Sequence, residues 1–263
     1  MDSEYKEMVK YVLSSGEERP DRTGTGVLSA FGLHLTCFDV EECYPLLTLK
    51  YTPFAQMFDE LRWFIRGHTN INLLPERTRH WWAPWAYNDG SIGPAYGAQL
   101  RGTYPGCVDQ LKNLVTGLAE DPYSRRHCMS FWSPVHLPEM ALPPCHGTAT
   151  QYYVTDNTLH CQMYQRSADI IIGLPINVAS YALLLCLLAA HLGYAAGHLK
   201  VILGDAHIYL NHIEAAQEML DRDPYDPPYI GIEKPCDIFA LDEHSAKVEG
   251  YHHHPAIKVP VAV

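Results

Sequence analysis

At 263 residues, 47% hydrophobic and 19% charged, the chain has the length for one large core and the composition of an ordinary folded protein. A formal net charge of −11 argues against a general nucleic-acid binder, so anions must be held by a few local arginines. Eight cysteines without a C-x-x-C pair, behind a polar N-terminus, point to reduced thiols in the cytoplasm rather than a disulfide framework.

Residues 4–15 are predicted as an amphipathic helix with Tyr5, Met8, Val9, Val12 and Leu13 on one face. Arg22-Thr23-Gly24-Thr25-Gly26 reads as a flexible turn into an alternating strand over 27–38. A long helix over 52–67 carries Phe54, Met57, Phe58, Leu61, Trp63 and Phe64. Within it Glu60 has two readings, a solvated side chain or a buried carboxyl of raised pKa. Residues 80–101 hold Trp81, Trp82 and Trp85, then Gly90, Gly93, Pro94, Tyr96 and Gly97. This aromatic loop is either a stacking wall for a flat ligand or packed on its own core. Strands follow at 127–132, 149–155 and 158–164, the last two joined at Asp156-Asn157, then a helix over 178–193, a strand over 198–204 and a helix around 207–221. The 178–193 stretch is interrupted by Ser180, Tyr181 and His191 and is short for a membrane span, so it reads as a buried helix. Without repeats or linkers the chain reads as a single domain over 1–263, and a strand–helix mixture lacking βαβ regularity gives α+β.

Of fifteen histidines only His252, His253 and His254 cluster, and consecutive side chains do not converge on one ion. No zinc spacing occurs, so no metal is expected. Chemistry is concentrated instead between 141 and 177. Cys145 lies in Ala-Leu-Pro-Pro-Cys-His, followed by Gln165-Arg166-Ser167-Ala168-Asp169 and Gly173-Leu174-Pro175-Ile176-Asn177. A lone cysteine is usually a small core residue. Here two prolines fix a non-helical approach to it. A thiolate adds to electron-poor carbons, and an arginine nearby favours it and binds an anionic substrate. Asparagine offers the donor and acceptor that a pyrimidine edge requires. Together they indicate covalent chemistry on a phosphorylated base.

Ordered blocks extend this pattern across the chain: Asp21–Gly26, Glu60–Phe64, Gly93–Gly97, Asp121–Arg126, Pro143–His146, Gln165–Asp169, Gly173–Tyr181, Gly204–Tyr209 and the terminal Ile257–Val263. In these the chain resembles the thymidylate synthase family, the folate-dependent, cysteine-nucleophile type that includes phage nucleotide hydroxymethylases. The resemblance implies a large, mostly antiparallel or mixed sheet flanked by helices, with the sheet at a homodimer interface. It implies dUMP as substrate, 5,10-methylenetetrahydrofolate as co-substrate and no metal. The catalytic residues it implies are Cys145, Glu60, His146, Tyr96, Asn177 and Asp205. Cys145 adds to carbon 6 of the pyrimidine, and carbon 5 then takes up the one-carbon unit. Glu60 and His146 manage protons with ordered water, and Tyr96 assists at carbon 5. Arg22, Arg166 and Ser167 hold the phosphate with Arg125 and Arg126 of the partner subunit. Asn177 reads the base, His207 and Tyr209 the deoxyribose hydroxyl, and Gln165 joins the nucleotide contacts. Lys50, Trp82, Trp85, Leu142, Asp169, Ile172, Ile176 and Ala262 fall on the folate side, with Asp169 on the pteridine. Val261-Ala262-Val263 closes over the site.

Departures from the family pattern gather on the folate side. An acidic residue is missing after Trp82, where Ala83-Pro84 stands; Tyr51 replaces a basic residue after Lys50; Ile176 replaces phenylalanine. One extra residue lies between Cys145 and Gln151, with Gly147 placed to absorb it. The hydroxymethylases share the first half of the mechanism, but water rather than hydride captures the methylene. Trp82, Tyr96 and the intact tail favour a dry site and methylation; the alternative is a dUMP 5-hydroxymethylase. Deoxycytidylate relatives carry aspartate at the position of Asn177, so uracil is expected. Regulatory binding to messenger RNA, known in the family, finds no basic tract here.

Overall fold

One helix and one sheet face set the architecture, and both follow from the hydrophobic pattern. The computed structural model describes residues 1–261; Ala262, a predicted folate contact, and Val263 lie outside the described residues. Strands β1 (Glu17–Arg19), β2 (Val27–Phe31), β3 (His34–Cys37), β4 (Cys128–Met129), β5 (Ala149–Thr155), β6 (Thr158–Asp169) and β7 (Ala195–Tyr209) form a seven-stranded sheet. Its order is β1-β2-β7-β6-β5-β4, with β3 also paired to β7. All pairings are antiparallel except β6 with β7. Between those two runs α6 (Gly173–Leu192), apolar on every side, which packs on both. It is long and apolar enough to cross a membrane by composition alone, but 83% of its apolar window is buried in the protein, as a core helix requires. Around the sheet lie α1 (Asp2–Ser15), α2 (Phe54–Ile65), α3 (Glu76–Arg79), α4 (Gly97–Arg101), α5 (Gln110–Glu120) and α7 (Ile213–Asp221), with a separate hairpin of β8 (Tyr229–Ile232) and β9 (Ala246–Glu249).

The mixed sheet flanked by helices matches the expected fold class. Several boundaries differ from the sequence reading. The strand predicted over 27–38 breaks at Gly32, whose φ of +85° turns the chain between β2 and β3. β6 and β7 each run five residues past the predicted ends, to Asp169 and Tyr209, so the helix expected around 207 begins at Ile213. β6-α6-β7 is a βαβ unit that the absence of regular alternation had concealed. The register of its parallel pair brings Ser167 beside Asp205 and Asp169 beside His207. Two of the ordered blocks, Gln165–Asp169 and Gly204–Tyr209, thereby become neighbours. At the β5–β6 hairpin, Asp156 and Asn157 take φ of 47° and 57°, the left-handed pair of a tight two-residue turn.

Candidate active site

The approach to Cys145 is a loop held open by β6. The Cys145 carbonyl accepts from the Arg166 amide at 2.9 Å and the Ser167 amide at 3.4 Å. Arg166 also donates from Nε to the Pro144 carbonyl at 2.7 Å and from a terminal nitrogen to the Pro143 carbonyl at 2.9 Å. Proline carbonyls retain full acceptor strength while the rings fix φ, so the guanidinium locks the chain entering the nucleophile position. The Cys145 amide donates to the Tyr96 hydroxyl at 3.1 Å, and Sγ lies 3.6 Å from the same oxygen. Burial pushes the Cys145 thiol up, while Tyr96 and the Arg166 charge pull it back. The arginine effect expected from sequence is present, and desolvation outweighs it.

Tyr96 sits directly before α4 with φ 34° and ψ −84°, a conformation uncommon for a residue with a side chain. Its ring is buried and stacks on Phe64 of α2 at 4.9 Å and 15°. The next residue must be glycine, because a Cβ at position 97 would overlap the His68 carbonyl. Glu60 resolves to the second of its two readings. It is buried on α2, accepts from Trp82 Nε1 at 2.6 Å, and burial raises its pKa to about 7. His146 is buried beside it in the cavity, bonded through Nδ1 to the Tyr181 hydroxyl at 3.1 Å, and burial depresses it to about 3. A neutral imidazole therefore adjoins a carboxyl poised to titrate near neutrality.

These groups line the reacting end of a cavity of about 530 Å³, together with Asn177 from the first turns of α6. Among the described residues the Asn177 carboxamide makes no hydrogen bond, and the residue lines the cavity. Trp81, Trp82, Trp85, Leu142, Ile172 and Ile176 form the walls. The aromatic loop thus satisfies both readings: Trp82 packs on Trp63, Trp85 and Tyr96, and the same ring faces the cavity. Lys50 also lines it, its ammonium lowered to about 8 by burial. Ile257, Val259 and Val261 of the C-terminal segment form part of the lining. A larger hollow of about 720 Å³ lies between α2 and the β8–β9 hairpin, where Asp59 is already paired with Arg62 and Arg77; no cysteine lines it.

The remaining predicted residues lie outside this cavity. Arg22 is in the turn before β2, which Asp21 fixes by accepting from the Thr23 and Gly26 amides, both at 2.8 Å. The Gln165 amide donates to the Ser167 carbonyl at 3.1 Å, leaving its buried oxygen without a partner among the described residues. His207 is held by Asp205 at 3.0 Å and meets the Tyr209 ring edge-on at 5.3 Å. Asp205 also accepts from Ser29 at 2.9 Å and Arg19 at 3.1 Å, which makes it a support for His207. Asp169 Oδ1 is occupied by the Ile171 and Ile172 amides at 2.9 and 3.1 Å, shaping the turn into α6. Arg125 and Arg126 are exposed in the turn before β4, away from the cavity of their own chain. Tyr181 was missed as a site residue. It lies four positions after Asn177 on α6, a spacing that puts both on one helix face.

Fold and cavity define an enzyme with a half-buried thiol, an adjacent tyrosine and a carboxyl that titrates near neutrality in one aromatic-walled cavity. The model of the thymidylate synthase family matches residues 3–263, and the chain belongs to that family. Its members transfer a one-carbon unit from methylenetetrahydrofolate to dUMP and typically work as dimers.

Proposed function

We propose that this enzyme carries out reductive methylation, converting dUMP and 5,10-methylenetetrahydrofolate to dTMP and dihydrofolate. The observation that carries this reading is the burial of the groups around Cys145. Glu60, Tyr96 and His146 are all more than nine-tenths buried, and the C-terminal segment lines the cavity beside them. A site that excludes water favours hydride over water as the final acceptor of the methylene. Cys145 adds to carbon 6 of the uracil, with Tyr96 within reach of the same thiol. Asn177 pairs with the base through its free donor and acceptor. Glu60, with a pKa of about 7, can both give and take a proton at working pH.

The cavity fits the folate. Its tryptophan walls suit a flat ring, and the buried Trp85 Nε1 has no partner among the described residues, leaving a donor for a polar ligand. Bound there, methylenetetrahydrofolate supplies the one-carbon unit and then the hydride. Lys50, Trp82, Trp85, Leu142, Ile172 and Ile176 hold it, and the tail closes the mouth. On the nucleotide side, Arg22, Arg166 and Ser167 serve the phosphate, with Arg125 and Arg126 of the partner subunit completing the site. That arrangement is supported by exposed aromatic side chains on the sheet, Phe31 on β2, Tyr153 on β5 and Tyr164 on β6, apolar surface suited to a second copy.

The competing reading, water capture to give 5-hydroxymethyl-dUMP and tetrahydrofolate, draws on Pro84 and Ile176, two departures from the family pattern that both line the cavity. One assay separates the two reactions. With dUMP and methylenetetrahydrofolate, methylation yields a nucleotide heavier by one CH2 and an equal amount of dihydrofolate, seen by mass spectrometry and absorbance. Nucleotide turnover that leaves tetrahydrofolate and an added CH2O overturns the methylating reading.

A further inference from the structure

His212 is the last residue of the turn following β7 and the first support of α7, and its side chain is fully buried. It makes one hydrogen bond, from Nε2 to the backbone carbonyl of Pro260 at 2.8 Å, 48 residues away in the C-terminal segment. A carbonyl can only accept, so Nε2 carries the proton. The other ring nitrogen, Nδ1, is buried without a partner among the described residues. An imidazole in a dry site that wastes one nitrogen costs free energy that an apolar ring of the same size would not. Its polarity is therefore explained by the single bond it makes to the tail.

That bond sits where it controls the cavity. Pro260 itself is exposed, while its neighbours Val259 and Val261, with Ile257, form part of the cavity lining. The ring of His212 also meets Tyr209 edge-on at 5.4 Å, and Tyr209 meets His207 in the same manner at 5.3 Å, with Asp205 behind His207. A continuous row of packed groups thus runs from Asp205 at the sheet to the backbone of the closing segment. We propose that His212 is a positioning residue that latches the C-terminal segment over the cavity and, through Tyr209, couples that closure to an occupied nucleotide site. The coupling half rests on the reading of His207 and Tyr209 as nucleotide contacts; the latch half does not. By linkage, nucleotide that steadies Tyr209 must tighten the tail, and a latched tail must tighten nucleotide.

The test compares His212→Phe, which keeps a flat ring and loses the donor, with His212→Gln, which restores a donor. Trimming of the tail by carboxypeptidase Y is followed by intact mass, with thermal midpoints checking the fold. Without ligand, the Phe variant should lose residues through Val261 roughly tenfold faster than wild type, about the effect of one buried hydrogen bond, and Gln should restore slow trimming. In wild type, saturating dUMP should slow trimming further, and in the Phe variant that protection should vanish. The folate KM of the Phe variant should rise about as much as trimming accelerates, with Gln again rescuing. Equal ligand-free trimming in wild type and the Phe variant overturns the latch. Faster trimming with dUMP protection intact overturns the coupling and keeps the latch. Should the Phe variant fail to fold, ring-nitrogen NMR of wild type reads the same bond: deleting 257–263 must shift the His212 Nε2 resonance, and an unmoved resonance overturns the latch.

Discussion

Glu60 and Cys145 both lie in the cavity, and burial acts on each through its charged form. The Glu60 carboxyl, raised from its ordinary 4.5 to about 7, binds its proton more tightly folded than unfolded. Its contribution to stability is fully present below about pH 4.5 and is lost as pH rises through about 7. Glu60→Gln keeps an oxygen for Trp82 and abolishes the ionisation. Urea unfolding should therefore show the variant gaining on the order of 2–3 kcal/mol relative to wild type between pH 4.5 and pH 8, while turnover collapses. A stability difference that does not change with pH would mean the carboxyl is not desolvated. Cys145 is pushed the same way, and its thiol still ionises far more readily than an alcohol. Cys145→Ser should bind dUMP in equilibrium titration and retain less than about a tenth of turnover. More activity than that removes Cys145 from the covalent role.

At the scale of elements, Gly147 turns the chain between Cys145 and β5. It takes φ +62°, its carbonyl accepts from the Phe131 amide at 2.9 Å, and β5 begins two residues later in unbroken register with β6. The left-handed turn therefore lies ahead of the strand, at the position proposed to take up an extra residue. A Cβ at this position would overlap the Tyr181 hydroxyl and approach Phe131 to 2.6 Å. Gly147→Ala should lower stability by about 2–4 kcal/mol in urea titration and displace the His146–Tyr181 bond. What the sequence revealed follows the same division between local and distant causes. α1 and α6 were legible because their buried residues keep a helical period or fill every side. α5 was equally legible and was passed over: Asp109 caps the Lys112 amide at 3.0 Å, and Leu111, Leu114 and Leu118 share one buried face. The end of β7 was misread because Ala206, His207 and Ile208 are buried in succession, which erases strand alternation. Within the site, Cys145, Glu60, Tyr96, His146 and Asn177 could be named from residue type and ordered blocks. The contacts between His146 and Tyr181, and between His212 and Pro260, join residues 35 and 48 apart and depend on the fold alone.

For the whole molecule, the charge of −11 and the placement of the arginines lead to one expectation. A dianionic phosphate near an acidic surface needs several cations at once, yet the Arg166 guanidinium is already engaged by the Pro143 and Pro144 carbonyls. Arg125 and Arg126 are exposed, do not line the cavity of their own chain, and lie just before β4, the last strand at one edge of the sheet. On the proposed reading, pairing two chains through this sheet would bring them to a phosphate, each chain lending its pair to the other. Arg126→Glu homodimers then have two sites with intact Cys145 and reversed charge at the phosphate. Cys145→Ser homodimers have two sites without a nucleophile. Both should be nearly inactive. In a mixed dimer, one site combines the intact Cys145 of one chain with the intact Arg126 of the other. Random exchange at equal amounts makes about half the dimers mixed, so activity should recover to about a quarter of wild type. Mass-tagged subunits establish that exchange has occurred. Exchange without recovery would mean that each phosphate site is built from one chain, and that the exposed aromatic side chains of the sheet serve some other contact.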